Sequence, residues 1–272
     1  MKGKQKPISR RNFVRITGTA AVAAQVYPAF AGSLSYDSGS RIVRNHDPKA
    51  TRPWDYSVNA PWNHTVEPKE DGTPGKTEER YFDYIKEDVV ERMLDRGLRE
   101  LTDARSVKDA WLQLLPGFKS SDLVSIKMNM NNASFDENIT TNRMDQTMPL
   151  VNGILEQLVN GLGLPEENIT ILDASRWFHP VKMKARCRFE NVCWVDESDP
   201  ERWDKNEEVV FTRDDPAPGG EFWMPRAYTG ADNIINLCLM KTHACGITGA
   251  MKNHFGSIPS PRNLHEGMGG KS

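Results

Sequence analysis

A mostly parallel α/β sheet with covering helices is the fold class this sequence predicts, and three stretches carry the prediction. "LVSIKMN", Leu123 to Asn129, is a short β-rich run. Pro149 then opens a helix whose apolar positions Leu150, Val151, Ile154, Leu155 and Leu158 form one face, ended by Gly161 and Gly163. "ITILD", Ile169 to Asp173, supplies a second strand. Strand, helix and strand over about fifty residues make a crossover unit, which joins parallel strands.

The N-terminus stands apart from this fold. "SRRNFVR", Ser9 to Arg15, places Arg10 and Arg11 before a mildly apolar stretch, Ile16 to Tyr27, and "AFA" at Ala29 to Ala31 offers a small-residue cleavage site. That is the layout of a twin-arginine export signal over residues 1–31, read by the twin-arginine translocase, and it predicts a periplasmic protein. A membrane anchor fits less well, because a span needs roughly 20 apolar residues. This stretch is shorter and contains Thr17, Thr19 and Gln25.

The 272 residues hold 35 basic and 37 acidic side chains; six of the basic and none of the acidic ones lie before Gly32, so the mature balance is −8. Such a surface argues against nucleic acid as a partner, since phosphate contacts need a basic face. Four cysteines, Cys187, Cys193, Cys238 and Cys245, allow three full pairings, and Cys187 and Cys193 are near enough in sequence to close a small loop. Without a C-x-x-C pair, no intrinsic iron–sulfur cluster or structural zinc site is expected.

Residues 32–76, rich in Pro, Asn, Asp, Ser and Gly, read as an irregular arm draped over an α/β domain at 77–272. In that domain Phe82, Ile85, Val89, Met93 and Leu94 have helical spacing, with Thr77 as the cap. A second helix starts at Ser106, with Asp109 as its capping-box partner, and stops at Pro116 and Gly117. Further strands are expected at Val192 to Val195, Val209 to Thr212 and Ile234 to Leu239, which would put Cys238 mid-strand.

Ligands of open parallel sheets bind beyond the carboxyl ends of the strands. The polar residues expected there are Lys127 and Asn129, then Asp173 followed by Ser175, Arg176 and His179, then Lys241, Thr242 and His243. Next comes "GITGAMK", which spaces Gly246, Gly249 and Lys252 three apart at an expected helix start. Glycines there let backbone N–H groups approach an anion. Lys127, Lys241 and Lys252 would repel one another in an empty pocket, by roughly 3 kcal/mol per pair at about 6 Å and an effective dielectric of 20. Such a pocket wants a phosphate or carboxylate. Each residue also has an ordinary reading: Lys127 solvated, Asp173 capping a turn, His243 bonded to a carbonyl, the glycines packing a helix on a sheet. The convergence carries more than any single residue.

"VSIKMNMN", "ITILDAS" and "NIINLCLMKTHACGITGAMKNHFGSI" together resemble the family called domain of unknown function 362. The matching elements are Lys241, Thr242, His243, Gly246, Gly249, Lys252, Asn253 and Gly256, within Leu123 to Ile258. The resemblance implies an α/β domain, accompanied in some members by ferredoxin-type iron–sulfur segments whose cysteine motifs are absent here. Members usually continue well past the K-N-x-x-G element, whereas this chain ends at "EGMGGKS". That leaves open a sheet truncated at its C-terminal end, with an exposed and aggregation-prone edge.

Two functions are compatible with these residues. One is an exported enzyme binding an anionic small molecule through Lys127, Asn129, Lys241, Thr242, Gly246, Gly249, Lys252 and Asn253. In it His243 is the acid–base and Asp173 orients it, or a divalent metal sits among Asp173, His179 and His243. The other is a periplasmic redox accessory that holds a cofactor or an electron-transfer partner of iron–sulfur type.

Overall fold

The computed structural model describes residues 13–14, 41–52, 81–130, 145–180, 183–209, 222–243 and 246–259. Its centre is a wholly parallel sheet in the order β1–β7–β2–β3–β4, formed by β1 (Phe13–Val14), β2 (Val124–Lys127), β3 (Ile169–Leu172), β4 (Cys193–Val195) and β7 (Asn233–Asn236). The register aligns Lys127 with Leu172 on one side and with Asn236 on the other. Two antiparallel hairpins flank this sheet, β5 (Trp203–Glu208) with β6 (Trp223–Pro225) and β8 (Lys241–His243) with β9 (Gly246–Thr248). Among the described residues no helix is long and apolar enough to cross a membrane.

Alternation along β2 decides what each face touches. Val124, Ile126, Met128 and Met130 point into the main core with Trp111, Val151, Leu155 and Ile171. The helices α1 (Glu87–Thr102), α2 (Val107–Leu114) and α3 (Met148–Glu156) contribute to that core. Buried Trp111 keeps its indole N–H satisfied by donating to Gln157 Oε1 at 2.7 Å. The opposite face carries a smaller cluster, Leu172, Ala174 and Tyr228, beneath α4 (Arg226–Thr229) and the β5–β6 hairpin. Ser125 points to that side and donates to Ala227 O at 2.5 Å.

Local sequence signals explain most element ends. Ser106 Oγ accepts from the Asp109 N–H at 3.0 Å, and its hydroxyl donates back to the Asp109 carboxylate at 2.7 Å. Pro149 lies in the first turn of α3, and the chain leaves this helix through Gly163 at φ 74°.

Two expected elements are displaced. The first long helix starts at Glu87 with Lys86 as its N-cap, not at Thr77, which lies outside the described residues. The reason is tertiary: Ile85 bridges Thr51, Arg52 N–H donates to Tyr84 O, and Lys86 N–H donates to Ala50 O. Backbone groups that a helix would need are bonded to the arm instead. Of the expected strand Val209 to Thr212 only Val209 is described, its N–H donating to Phe222 O at 2.7 Å just past the end of β5; residues 210–212 lie outside the described ones.

The last expected strand, Ile234 to Leu239, ends at Asn236, so Cys238 is half-buried past the sheet rather than mid-strand. Leu237 N–H still bonds Lys127 O at 2.8 Å, but Met240 is 79 % exposed, so the chain has left the layer before β8. Cys187, Cys193 and Cys238 are free thiols, so Cys187 and Cys193 are not joined, and Cys245 lies outside the described residues. The described part of the arm does lie on the domain, with Asn45 Nδ2 donating to Met93 O at 2.8 Å and Arg41 paired with Asp103.

Candidate functional site

β3 and β4 extend the sheet on one side of β2, and β7 lies on the other. The strand order therefore reverses between β2 and β7, and the carboxyl edge at such a reversal is where α/β proteins bind ligands. Lys127 and Asn236 are the last residues of those two strands.

Lys127 is fully buried. Its Nζ lies 3.2 Å from Asp173 Oδ2, at the end of β3, and donates to Met128 O at 2.5 Å and to Asn253 Oδ1 at 3.4 Å. Burial pushes the lysine pKa down, against the opposing pull of Asp173, with the Arg176 charge lowering it further. Asp173 is 2 % exposed. Its carboxylate also accepts from Met130 N–H at 3.0 Å, and from the N–H and hydroxyl of Ser175 at 3.3 Å each. Taking two charges out of water costs several kcal/mol per ion, and only a fully bonded pair offsets that. Here both partners are bonded.

A short segment closes over this pair. It consists of α5 (Ala250–Asn253) and a 3-10 turn, His254–Ser257. Asn253 is buried and faces both strands, donating through Nδ2 to Asn236 Oδ1 at 2.8 Å while its own Oδ1 takes the Lys127 bond. Gly256 sits where any side chain would collide. A Cβ there would lie 3.0 Å from Asp173 Oδ1, 3.1 Å from Lys127 Nζ and 3.1 Å from Ser175 Oγ. The spacing of N-x-x-G thus has a physical cause: Asn253 bonds Lys127, and Gly256 gives the charged pair room.

The network continues away from the pair. Asn236 Oδ1 is occupied by Asn253, so its Nδ2 faces His254 Nε2 at 3.0 Å as a donor, which makes that ring nitrogen an acceptor in this contact. His254 Nδ1 is 3.4 Å from Ser257 Oγ, which is 2.9 Å from Tyr228 OH. Burial raises the Tyr228 pKa over the opposing Ser257 bond, and the Asp173 charge adds to the rise. A phenol whose folded pKa is raised contributes stability that is present below about pH 10 and lost as pH climbs through the folded value. Tyr228 should therefore form tyrosinate only as the protein opens, in a step at 295 nm coincident with loss of the circular dichroism signal. Tyr228→Phe should remove that step; a Tyr228 signal that titrates near pH 10 in the folded protein would contradict the burial.

Other expected site residues are placed differently. Lys127 is paired with Asp173, and whether Lys241 joins it lies outside what is described. Gly246 lies in β9, paired with His243, and the helix after Gly249 is four residues long. Gly249 directly precedes α5, so a helix does start there, but four residues offer little helix dipole. Lys252 is half-buried and makes no ion pair among the described residues. Lys241, Thr242 and His243 form β8, and their side chains lie outside what is described. Asn129 is 4 % exposed and His179 is 3 % exposed, the latter with its ring 5.4 Å from Trp177. No group of three His, Cys, Asp or Glu side chains suited to a metal occurs among the described residues. For Asp173 the donor chemistry points elsewhere, since lysine and backbone donors already occupy its carboxylate.

Four residues in this network were not singled out from the sequence: Tyr228, Asn236, His254 and Ser257. The one available signal was "NIIN", where a polar residue closes an otherwise apolar strand.

The molecule is thus an open parallel α/β protein with a buried lysine–aspartate centre at the reversal of its strand order. The sequence pattern of the family described as Domain of unknown function (DUF362) matches residues 124–271, more than half of the chain, and the protein belongs to that family. No curated protein and no solved structure matches the chain.

Proposed function

We propose that the protein is an exported enzyme that binds an anionic small molecule at the carboxyl edge of its sheet. The observation that carries this reading is the convergence of Lys127, Asp173 and Asn253, from three separate segments, on one buried cluster at the strand-order reversal. A buried ion pair is a poor device for stability alone, because an apolar pair of similar volume often serves as well. Buried charges in this place are better explained by chemistry. Lys252 lies beside Asn253 in the covering segment without an acidic partner among the described residues, which favours an anion as ligand. In this reading Lys127 and Asp173 set the charge of the floor, and Lys252 and Lys241 draw the anion. His243, which follows β7 toward the same edge, moves the proton.

Thermal denaturation tests the anion. A ligand at a hundredfold excess over its Kd should add about 2.7 kcal/mol, raising Tm by roughly 2–4 °C per kcal/mol for a domain of this size. Phosphate, pyrophosphate and small carboxylates are the probes, with ionic strength matched by chloride. Lys252→Met should remove most of the shift, and the exposed Lys108→Met should not. Equal responses from wild type and Lys252→Met would rule out an anion site built on that lysine.

Export rests on Arg10 and Arg11. Changing both to lysine should leave full-length precursor in the cytoplasm, measured by fractionation and immunoblotting; undiminished periplasmic protein would exclude the twin-arginine route. β1 lies inside the segment that cleavage would remove, so the mature sheet would keep β7, β2, β3 and β4.

A further inference from the structure

Two carboxamides beside the charged pair have no use within the fold. Asn129 Oδ1 and Gln146 Oε1 are buried without a hydrogen-bond partner. Asn129 is 4 % and Gln146 5 % exposed. Native proteins satisfy nearly all such atoms, so an unsatisfied pair in one place calls for a partner from outside the chain.

Their position says where that partner sits. Met128 and Met130 belong to the helix-side core, so Asn129 between them points to the other side of the strand, the side of Lys127. Gln146 is held next to it, its N–H donating to Asn129 O at 3.1 Å. The following residue, Met130, gives its N–H to Asp173 at 3.0 Å. Asn129 therefore stands at the carboxyl end of β2 on the side of the buried pair, with the backbone of Gln146 bonded to it. The atoms left over are acceptors, and an anion by itself offers an acceptor no proton.

We propose that Asn129 and Gln146 read hydroxyl groups on the bound anion, so that the substrate class is a hydroxylated carboxylate or phosphate rather than a plain one. This rests on the anion-binding reading above. A hydroxyl donates to a buried carboxamide oxygen, while the unhydroxylated analogue leaves that oxygen unpaired; the difference should reach about tenfold or more in Kd.

The test uses the full chain and matched ligands: glycolate against acetate, malate against succinate, glycerol phosphate against propyl phosphate, by calorimetry at constant ionic strength. Tighter binding of the hydroxylated member of a pair, by about tenfold, is the expected result. In Asn129→Leu and Gln146→Leu this preference should shrink. Equal affinities within every pair would overturn the hydroxyl reading and leave the anion site standing. Binding of neither member would overturn both. A preference unchanged in the two variants would assign the reading of hydroxyls to other residues and overturn the proposal. So would stabilisation by magnesium or calcium chloride alone that is lost in the variants, since the two oxygens would then be cation ligands. Where a leucine variant fails to fold, Asn129→Ala or Gln146→Ala puts the same question to the folded protein.

Discussion

Replacing Lys127 with methionine should cost about 3–5 kcal/mol of folding stability, the usual penalty for leaving one member of a buried ion pair alone. The stranded group is Asp173, 2 % exposed, whose carboxylate would keep its bonds from Met130 and Ser175 but lose the only cation within ion-pair distance among the described residues. Urea denaturation of wild type and variant, with equal m-values, measures the loss. Adding Asp173→Leu to the variant should return much of the lost stability, because a volume-matched apolar pair removes both desolvation costs together. It should also abolish any response to anions. A fully stable Lys127→Met single variant would mean that the pair is not ionised as described. A double variant that stays as unstable as the single one would place the energy in Asn253 and the covering segment instead.

Gly256→Ala should destabilise the protein by about 1–3 kcal/mol, the range for overpacking a filled site. The added methyl would meet three polar atoms at 3.0–3.1 Å, all belonging to the charged pair or to the Ser175 that bonds it. None can move without breaking a bond to its neighbour. Part of the cost should therefore appear as a lifted 254–257 segment rather than as a shifted sheet. Faster hydrogen exchange in that segment and at Met130, compared with β3, is the expected signature. By contrast, Gly249→Ala should be close to neutral, because a Cβ there meets nothing within 4 Å. Equal costs at the two glycines would contradict this account of why the motif needs the second one.

Periodicity and punctuation in the sequence were enough to determine the parallel core. Val124, Ile126, Ile169 and Ile171 belong to short apolar runs separated by a Pro-opened, Gly-closed helix, and such a unit has one economical way to bury itself. The Ser106 cap was legible for the same reason: its partner is three residues away. So was the arrival of Lys127 and Asp173 at one edge, because strand ends in a parallel sheet share a side.

What those groups do on arrival was decided by tertiary structure. Lys127 finds Asp173 because β2 and β3 are neighbours in register, and that pairing makes the expected cation one half of a neutralised floor. The start of α1 was displaced because the arm bonds the backbone at Tyr84 and Lys86, a partnership with residues more than thirty positions away that no local pattern encodes. The same holds for Gly246 in a hairpin, and for Asn129 and Gln146 without partners. Helix and strand propensities act over a few residues, whereas the contacts that assign a role to a buried polar side chain come from whichever distant segment packs against it.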